Sequence, residues 1–129
     1  MATTSTQLDT SVTEEKILAA VQRIVEVADP LRIIAFGSRA RGDFRPSSDL
    51  DLAVIVDHLD PGAKPPVTRG TLGGIVMSID LLVFDEQRYR HMSQFLGSVH
   101  REIDREGLVL YNRDDAQRTD RRAIARLIG

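Results

Sequence analysis

Two short motifs, ten residues apart, bring together residue types suited to phosphate and metal chemistry. Gly37-Ser38 follows one apolar run, and Asp49 and Asp51 open the next. Glycine allows a sharp turn and close approach of a phosphate to the backbone, and a helix that begins at the serine would offer its first amides to an anion. Two carboxylates at i and i+2 of a strand share a face, roughly 6.5–7 Å apart, and repel each other unless a cation lies between them. The pair of motifs therefore indicates a site that handles a nucleotide phosphate with divalent metal.

A third acid interrupts the long apolar run at residues 74–84. That run is typical of a central strand, and Asp80 lies within it. A carboxylate there is costly to bury unless it is paired or binds metal. If the strand lies beside residues 49–56, Asp80 would complete a three-carboxylate cluster, bind one metal and accept the proton of an attacking hydroxyl. The alternative is an aspartate that faces solvent at a sheet edge.

Apolar runs bounded by turn residues predict the strands that carry these groups. Residues 32–36 and 49–56 are expected to be strands, with a short helix from Ser38 between them and a loop over residues 57–74. These patterns predict an α+β fold in which a mixed β-sheet carries the acids at a cleft and the helices pack on one face.

Helical periodicity predicts two longer helices. The first begins with the capping-box pattern Ser11-x-x-Glu14 and stops at Pro30. The second is expected to run unbroken over residues 86–106 and to stop at Gly107. Its predicted inward-facing residues are Phe95, Leu96, Val99 and Ile103. A final short strand is expected at residues 108–111.

Length and composition predict one compact domain with two flanking segments. The chain has 129 residues, of which 42% are hydrophobic, enough for one core. Residues 1–10 are expected to be a flexible N-terminus, residues 11–111 the domain, and residues 112–129 a charged tail. The apolar stripe in that tail either belongs to a free polar segment or forms a helix that binds a partner or a second copy. The stripe consists of Ile124, Leu127 and Ile128.

Several classes of protein are disfavoured by composition. The absence of cysteine excludes a disulfide scaffold and a thiolate-bound zinc site. Apolar runs are too short for a transmembrane helix, the N-terminus does not resemble a signal peptide, and a cytoplasmic location is expected. The net charge of −2 argues against a surface that coats nucleic acid in general.

Other charged residues near the motifs invite a functional assignment. Arg39 and Arg41 follow Ser38 and could hold a triphosphate, although surface arginines are common. His91 and His100 are expected to be solvated on the polar side of the second long helix.

The motifs resemble those of the nucleotidyltransferase superfamily built on the DNA polymerase β palm. More narrowly, the chain is similar to the minimal nucleotidyltransferases (MNT), including the MntA-type antitoxins of HEPN/MNT modules. The resemblance covers about residues 12–111. It is carried by the segments Gly-Ser-Arg-Ala-Arg-Gly (37–42), Ser-Asp-Leu-Asp-Leu-Ala-Val (48–54) and Glu-Gly-Leu-Val-Leu-Tyr (106–111).

The resemblance implies a polymerase β-like nucleotidyltransferase fold and a role for each matching residue. Gly37 and Ser38 would bind the phosphates of a nucleoside triphosphate such as ATP. Asp49 and Asp51 would bind two Mg²⁺ ions, and Asp80 would bind metal and help to activate the acceptor hydroxyl.

Three functions remain open on this basis. The first is an enzyme that moves AMP, or another NMP, to a hydroxyl, with a HEPN-domain ribonuclease toxin as the acceptor implied by the resemblance. The second is an antitoxin that neutralises the toxin by binding alone. The third is an antibiotic-modifying nucleotidyltransferase, for which a chain of 129 residues leaves little room for an acceptor-binding domain.

Overall fold

The computed structural model describes residues 9–129, so most of the predicted flexible segment, residues 1–10, lies outside the described residues. Four strands form a single sheet, and helices lie between and around them in the chain. In chain order the elements are α1 (Glu14–Ala28), β1 (Arg32–Phe36), α2 (Ser38–Arg41), β2 (Leu50–Val56), a 3-10 turn (Arg69–Leu72), β3 (Ile79–Asp85), α3 (Glu86–Met92), α4 (Val99–Glu106), β4 (Leu108–Asn112) and α5 (Arg121–Arg126).

The strand order of the sheet is β3-β2-β1-β4. β1 runs antiparallel to both β2 and β4, whereas β2 and β3 are parallel. The predicted mixed sheet and α+β class are therefore confirmed. Because β2 and β3 are parallel and in register, residues near their N-terminal ends meet at the same end of the sheet.

Helices cover both faces of the sheet, which corrects the prediction that they pack on one face. Side chains alternate between the faces along each strand, and β1 is apolar at every position from Ile33 to Phe36. Ile33 and Ala35 belong to the core cluster formed with α1 and α5. Ile34 and Phe36 belong to a second cluster with Tyr89 of α3 and the Ile103 side chain of α4, and the unbroken apolar run of β1 reflects burial on both sides.

β3 lies at the edge of the sheet, not at its centre as predicted, and it begins at Ile79 rather than at residue 74. Just before it, Met77 is buried in the core and Ile75 packs against the core from a loop, so the hydrophobic run does not have to be a strand. On the outward side of β3 the Leu82 side chain remains 39% exposed.

The predicted single helix over residues 86–106 is two helices separated by a loop at residues 93–98. Gly97 has φ 83°, which an α-helix cannot accommodate, and the Ser98 side chain caps α4 by accepting from the Arg101 amide. The expected inward residues Phe95 and Leu96 lie in the loop and are 49% and 83% exposed. Val99 is also exposed and only Ile103 is buried. The predicted end at Gly107 is confirmed.

The two ends of α1 are set by residues close to those predicted. The N-cap is Thr13, whose hydroxyl accepts from the Lys16 amide, and Ser11 instead bonds to Asp9. The capping-box prediction is therefore wrong by two residues. The helix does stop before Pro30, with Asp29 in the left-handed region at φ 43°.

The C-terminal segment folds back onto the domain. α5 forms there, and its side chains Ala123 and Ile124, with Leu127 just after the helix, are buried in the cluster that also contains α1. The apolar stripe is thus covered by its own chain, which leaves it unavailable to a partner in this conformation. Within residues 9–129 no helix is long and apolar enough to span a membrane.

Candidate active site

The turn between β1 and α2 depends on a glycine for two reasons. Gly37 has φ 77° and ψ −159°, a backbone conformation that is essentially restricted to glycine. A Cβ atom at this position would also overlap the carboxylate of Asp51. The turn and the acid-bearing strand therefore touch, which brings the two halves of the sequence motif together. The short helix predicted from Ser38 is confirmed, and it ends at Gly42 with φ 91°.

The three predicted acids meet at one end of one sheet face. Asp51 lies opposite Phe36 of β1 on one side and opposite Asp80 of β3 on the other. Neighbouring strands are separated by ~4.8 Å, so Asp51 and Asp80 are immediate neighbours. Asp49, just before β2, shares the face of Asp51 because the intervening Leu50 is fully buried on the other side. The predicted adjacency of the two acid-bearing strands is confirmed.

Like charges accumulate at this end of the sheet. The pKa of Asp51 is raised above its ordinary value, first by burial and then by the neighbouring carboxylates of Asp80 and Asp49. Glu102 of α4 raises the pKa further, and Arg41 opposes the shift. A carboxylate whose pKa is raised by burial and by like charge is a common feature of functional sites. A bound cation would relieve this repulsion.

The donor set fits Mg²⁺ by its chemistry, although it is not preassembled. Mg²⁺ prefers carboxylate oxygens, and Asp49, Asp51 and Asp80 supply only such atoms. In the structure the Asp49 carboxylate accepts a hydrogen bond from the Ser78 hydroxyl. Among residues 9–129 no three acidic or histidine side chains already converge as a metal-binding group. Metal binding would therefore require side-chain rotation at the same backbone positions.

Arg41 lies on α2 with its side chain partly exposed. Its guanidinium is 3.3 Å from Asp43 and 3.8 Å from Glu106. Exposed ion pairs of this kind contribute little to stability and rearrange easily, so Arg41 is able to turn toward an anion at the Gly37-Ser38 turn. Its predicted role in phosphate binding remains a prediction.

Arg39 has a different role from the one predicted for it. Its residue is only 3% exposed, and its guanidinium donates to three backbone carbonyls, those of Pro46, Ser48 and Leu127. It also lies over the ring of Phe44. Residues i and i+2 of a helix lie on nearly opposite sides, so Arg41 is exposed where Arg39 points to the interior. The expectation that Arg39 holds a triphosphate is therefore wrong for this conformation.

Sequence reasoning missed two residues that act on the acids. Ser78 bonds to Asp49, and its position two residues before Asp80 on the same chain segment was the available signal. Glu102 reaches the site from α4, and only the packing of that helix on the sheet reveals it.

The two histidines of the 86–106 region also behave differently from each other. His100, expected to be solvated, packs against Phe84 with ring centroids 4.6 Å apart, and burial lowers its pKa. His91 is exposed, as expected, beside Phe95.

Comparison with known proteins agrees with the fold and the motif. Residues 15–116 match the family described as Polymerase beta, Nucleotidyltransferase, and the chain belongs to that family. A crystal structure of a proposed nucleotidyltransferase from Sulfolobus solfataricus has a similar fold, with TM-score 0.55 and 19% sequence identity over 82% of this chain and 86% of that chain. No curated protein matches the sequence significantly. The domain is thus of the nucleotidyltransferase type, a class that transfers nucleotidyl groups.

Proposed function

We propose that the protein transfers a nucleoside monophosphate, AMP in the first instance, from ATP to a hydroxyl group of another protein. The observation that carries this proposal is the register pair Asp51–Asp80, with Asp49 on the same face and the Gly37 turn in contact with Asp51. Two acids of an ordinary sheet would not be placed side by side, because their repulsion destabilises the fold.

Each residue of the site has a task in this reaction. The amides of the Gly37-Ser38 turn and the side chain of Arg41 would bind and orient the phosphates. Asp49 and Asp51, with Asp80 beside them, would hold Mg²⁺. When bound, the ions neutralise phosphate oxygens and the departing pyrophosphate. Asp80, which is exposed at the sheet edge, would accept the proton of the attacking hydroxyl.

The exposure of the acids supports a macromolecular acceptor. Asp49 and Asp80 are both exposed, so a hydroxyl carried on the surface of another protein is able to reach them. The resemblance to minimal nucleotidyltransferases suggests which protein: a HEPN-domain ribonuclease toxin, modified by this chain as its antitoxin. A small-molecule acceptor would need a more enclosed pocket beside the acids.

One observation favours the alternative, a toxin-binding protein without catalysis. Asp49 is engaged by Ser78, and the three carboxylates do not converge on a common point in the described part of the chain. In this alternative basic side chains of the partner would neutralise the acids, and neither ATP nor Mg²⁺ would be required.

A single pair of measurements separates the two. Calorimetry with ATP should give binding that requires Mg²⁺ and is abolished in the double variant Asp49→Asn/Asp51→Asn. Incubation with ATP, Mg²⁺ and a HEPN-domain toxin should then increase the toxin's mass by one or more AMP units. Toxin neutralisation that persists in the double variant, with no AMP found on the toxin, would establish the binding-only function.

A further inference from the structure

The eight residues that separate α2 from β2 contain no regular secondary structure, and they connect the Gly37-Ser38 turn to Asp49. Residues 42–49 form turns and irregular backbone. Inside the loop the Arg45 amide donates to the Ser48 hydroxyl at 2.9 Å, and the Ser48 amide donates to the Arg45 carbonyl at 2.9 Å. These local bonds shape the turn but do not attach it to the rest of the molecule.

The Ser78 hydroxyl attaches the loop at Asp49, and the Arg39 side chain attaches the residues before it. The Arg39 guanidinium donates from Nη2 to the Pro46 carbonyl at 3.1 Å and from Nε to the Ser48 carbonyl at 3.0 Å. Its Cζ atom lies 4.6 Å from the centroid of the Phe44 ring. Arg39 follows Ser38 in the Gly37-Ser38 turn, and Ser48 precedes Asp49. A single guanidinium therefore joins the two halves of the motif.

The third hydrogen bond reaches the other end of the chain. Arg39 Nη1 donates at 2.9 Å to the carbonyl of Leu127, which follows α5. The last carbonyls of a helix have no partner within the helix, and an arginine is well suited to satisfy them. Leu127 itself is fully buried. The C-terminal segment therefore packs directly against the support of the acid-bearing loop.

We propose that Arg39 is a positioning residue that holds the Asp49 end of the motif in place, and that the C-terminal helix is part of this support. The inference rests on the proposed function in so far as Asp49 is a metal ligand. Lysine cannot replace the arginine, because an ammonium lacks the planar fork that reaches three fixed carbonyls while stacking on an aromatic ring.

The central test compares Arg39→Lys with Arg126→Lys. Arg126 is an exposed arginine on α5, next to Leu127, and its variant controls for the loss of a guanidinium in the same region. The first readout is hydrogen exchange of residues 42–48 in the intact chain. We expect faster exchange in that loop in Arg39→Lys, with β1 and β2 still protected, and no change in Arg126→Lys.

The second readout is Mn²⁺ binding, followed by calorimetry or electron paramagnetic resonance without nucleotide. Residues that orient metal ligands typically affect metal affinity about 10- to 100-fold, and we expect a loss of that size in Arg39→Lys only. Arg39→Lys protein that is folded, binds Mn²⁺ like the wild type and shows unchanged loop exchange would overturn the inference.

A second pair of variants covers the case in which Arg39→Lys does not fold. Deletion of residues 127–129 removes the Leu127 carbonyl and side chain, whereas Leu127→Ala removes most of the side chain and keeps the carbonyl. Faster loop exchange and weaker Mn²⁺ binding in the deletion than in Leu127→Ala support the inference. Equal behaviour of the two contradicts it.

Failure of the proposed function gives a different pattern. Wild-type protein that binds neither Mn²⁺ nor ATP with Mg²⁺ would remove the nucleotidyl-transfer proposal. The loop-exchange comparison would still decide whether Arg39 positions the loop: faster exchange in Arg39→Lys supports this role, and unchanged exchange overturns it.

Discussion

Aspartates at the two ends of strands β2 and β3 have pKa values shifted in opposite directions. At the N-terminal end, Asp51 is partly buried beside Asp80, and its pKa is raised by burial and by like charge. At the C-terminal end, Asp85 caps α3 and accepts hydrogen bonds from backbone amides, which lower its pKa. The residue type is the same and the two strands are neighbours in the sheet, so the surroundings account for the difference.

Ion pairs also distinguish the two ends of the sheet. Just after β2, both carboxylate oxygens of Asp57 lie 3.0 Å from one guanidinium nitrogen of Arg113. Arg113 also donates to the Asp29 carbonyl and so ties the loop after α1 to the same end. At one end of the sheet the acids are therefore paired with donors of their own chain, whereas at the other burial and the neighbouring carboxylates raise the pKa of Asp51 more than Arg41 lowers it.

This difference separates structural acids from functional ones. An acid that serves the fold is matched with donors, and its charged form is favoured. An acid that serves a ligand lies where burial and like charge disfavour its charged form, at a cost to stability, because the ligand supplies the compensation. The following predictions test this division.

The largest effect is expected from the double variant Asp49→Asn/Asp51→Asn. Metal-borne stabilisation of the transition state is worth several kcal/mol, so AMP transfer should fall about 1000-fold or more. The measurement is a single-turnover assay with labelled ATP. Asp57→Asn, at the other end of β2, is the matched control and should retain full activity; comparable losses in the two variants would contradict the division.

The next effect concerns the contact between the turn and the strand. Gly37→Ala introduces a Cβ that overlaps the Asp51 carboxylate, in a backbone conformation reserved for glycine. We expect transfer to fall about 100-fold, the usual result of a displacement near 1 Å in an active site. The control is Gly62→Ala, since Gly62 also has a positive φ of 80° but open space around it. The idea fails if steady-state assays show equal activity in both variants.

A smaller effect, of opposite sign to most substitutions, is expected for stability. Asp51→Asn should stabilise the metal-free protein by about 0.5–2 kcal/mol at neutral pH, the common gain when a functional constraint is removed. Denaturant unfolding in the presence of a chelator measures this. A variant less stable than the wild type would show that the Asp51 charge is already compensated.

The pH dependence of stability tests the opposite shifts of the two aspartate pKa values independently. Because the folded pKa of Asp51 is raised, its protonated form favours the fold: this contribution is fully present below the ordinary value of 3.8 and is lost as pH rises through the raised pKa. For Asp85 the folded pKa is lowered, so its contribution is present above 3.8 and is lost as pH falls through the lowered pKa. The variants Asp51→Asn and Asp85→Asn should therefore change the slope of stability against pH in opposite directions.

The smallest effect is expected for Arg113→Met. The pair with Asp57 is exposed on the carboxylate side, at 63%, so its loss should cost about 0.2–1 kcal/mol in unfolding free energy. AMP transfer should be unchanged, because the pair lies at the end of β2 remote from Asp51. A tenfold loss of transfer in protein that remains folded would mean that the two ends are coupled.

Local patterns in the sequence predicted most of the strands and the backbone of the site. The apolar stretches that became β1 and β2 are bounded by glycine, proline and aspartate. Their alternation correctly placed Asp49 and Asp51 on the face opposite Leu50 and Leu52. The helix over residues 86–106 was predicted wrongly because periodicity alone does not register a glycine with φ 83° followed by a capping serine. The two helices that result have short apolar faces, and the loop between them exposes Phe95 and Leu96.

Local sequence patterns could not predict the roles of residues whose partners are distant in the chain. Arg39 and Arg41 are two residues apart and chemically identical, yet one is buried against three carbonyls and the other is exposed. The partner that decides between them, Leu127, is 88 residues away from Arg39. The same holds for Glu102, whose charge reaches Asp51 only because α4 packs across the sheet.

Local sequence predicted the residue types of the site: a glycine that permits the turn, a serine after it, and two acids, Asp49 and Asp51, that the period of two along one strand sends to one face. These are properties of single residues and their near neighbours, and they survive any arrangement of the remaining chain. Contacts between distant segments selected the rest: β3 as an edge strand in register with β2, which brings Asp80 beside Asp51, helices on both faces of the sheet, and a C-terminal segment whose Leu127 carbonyl accepts from Arg39. Those outcomes depend on burial and hydrogen bonding between segments far apart in the chain, where the free energy of the whole molecule, and no local pattern, selects the arrangement.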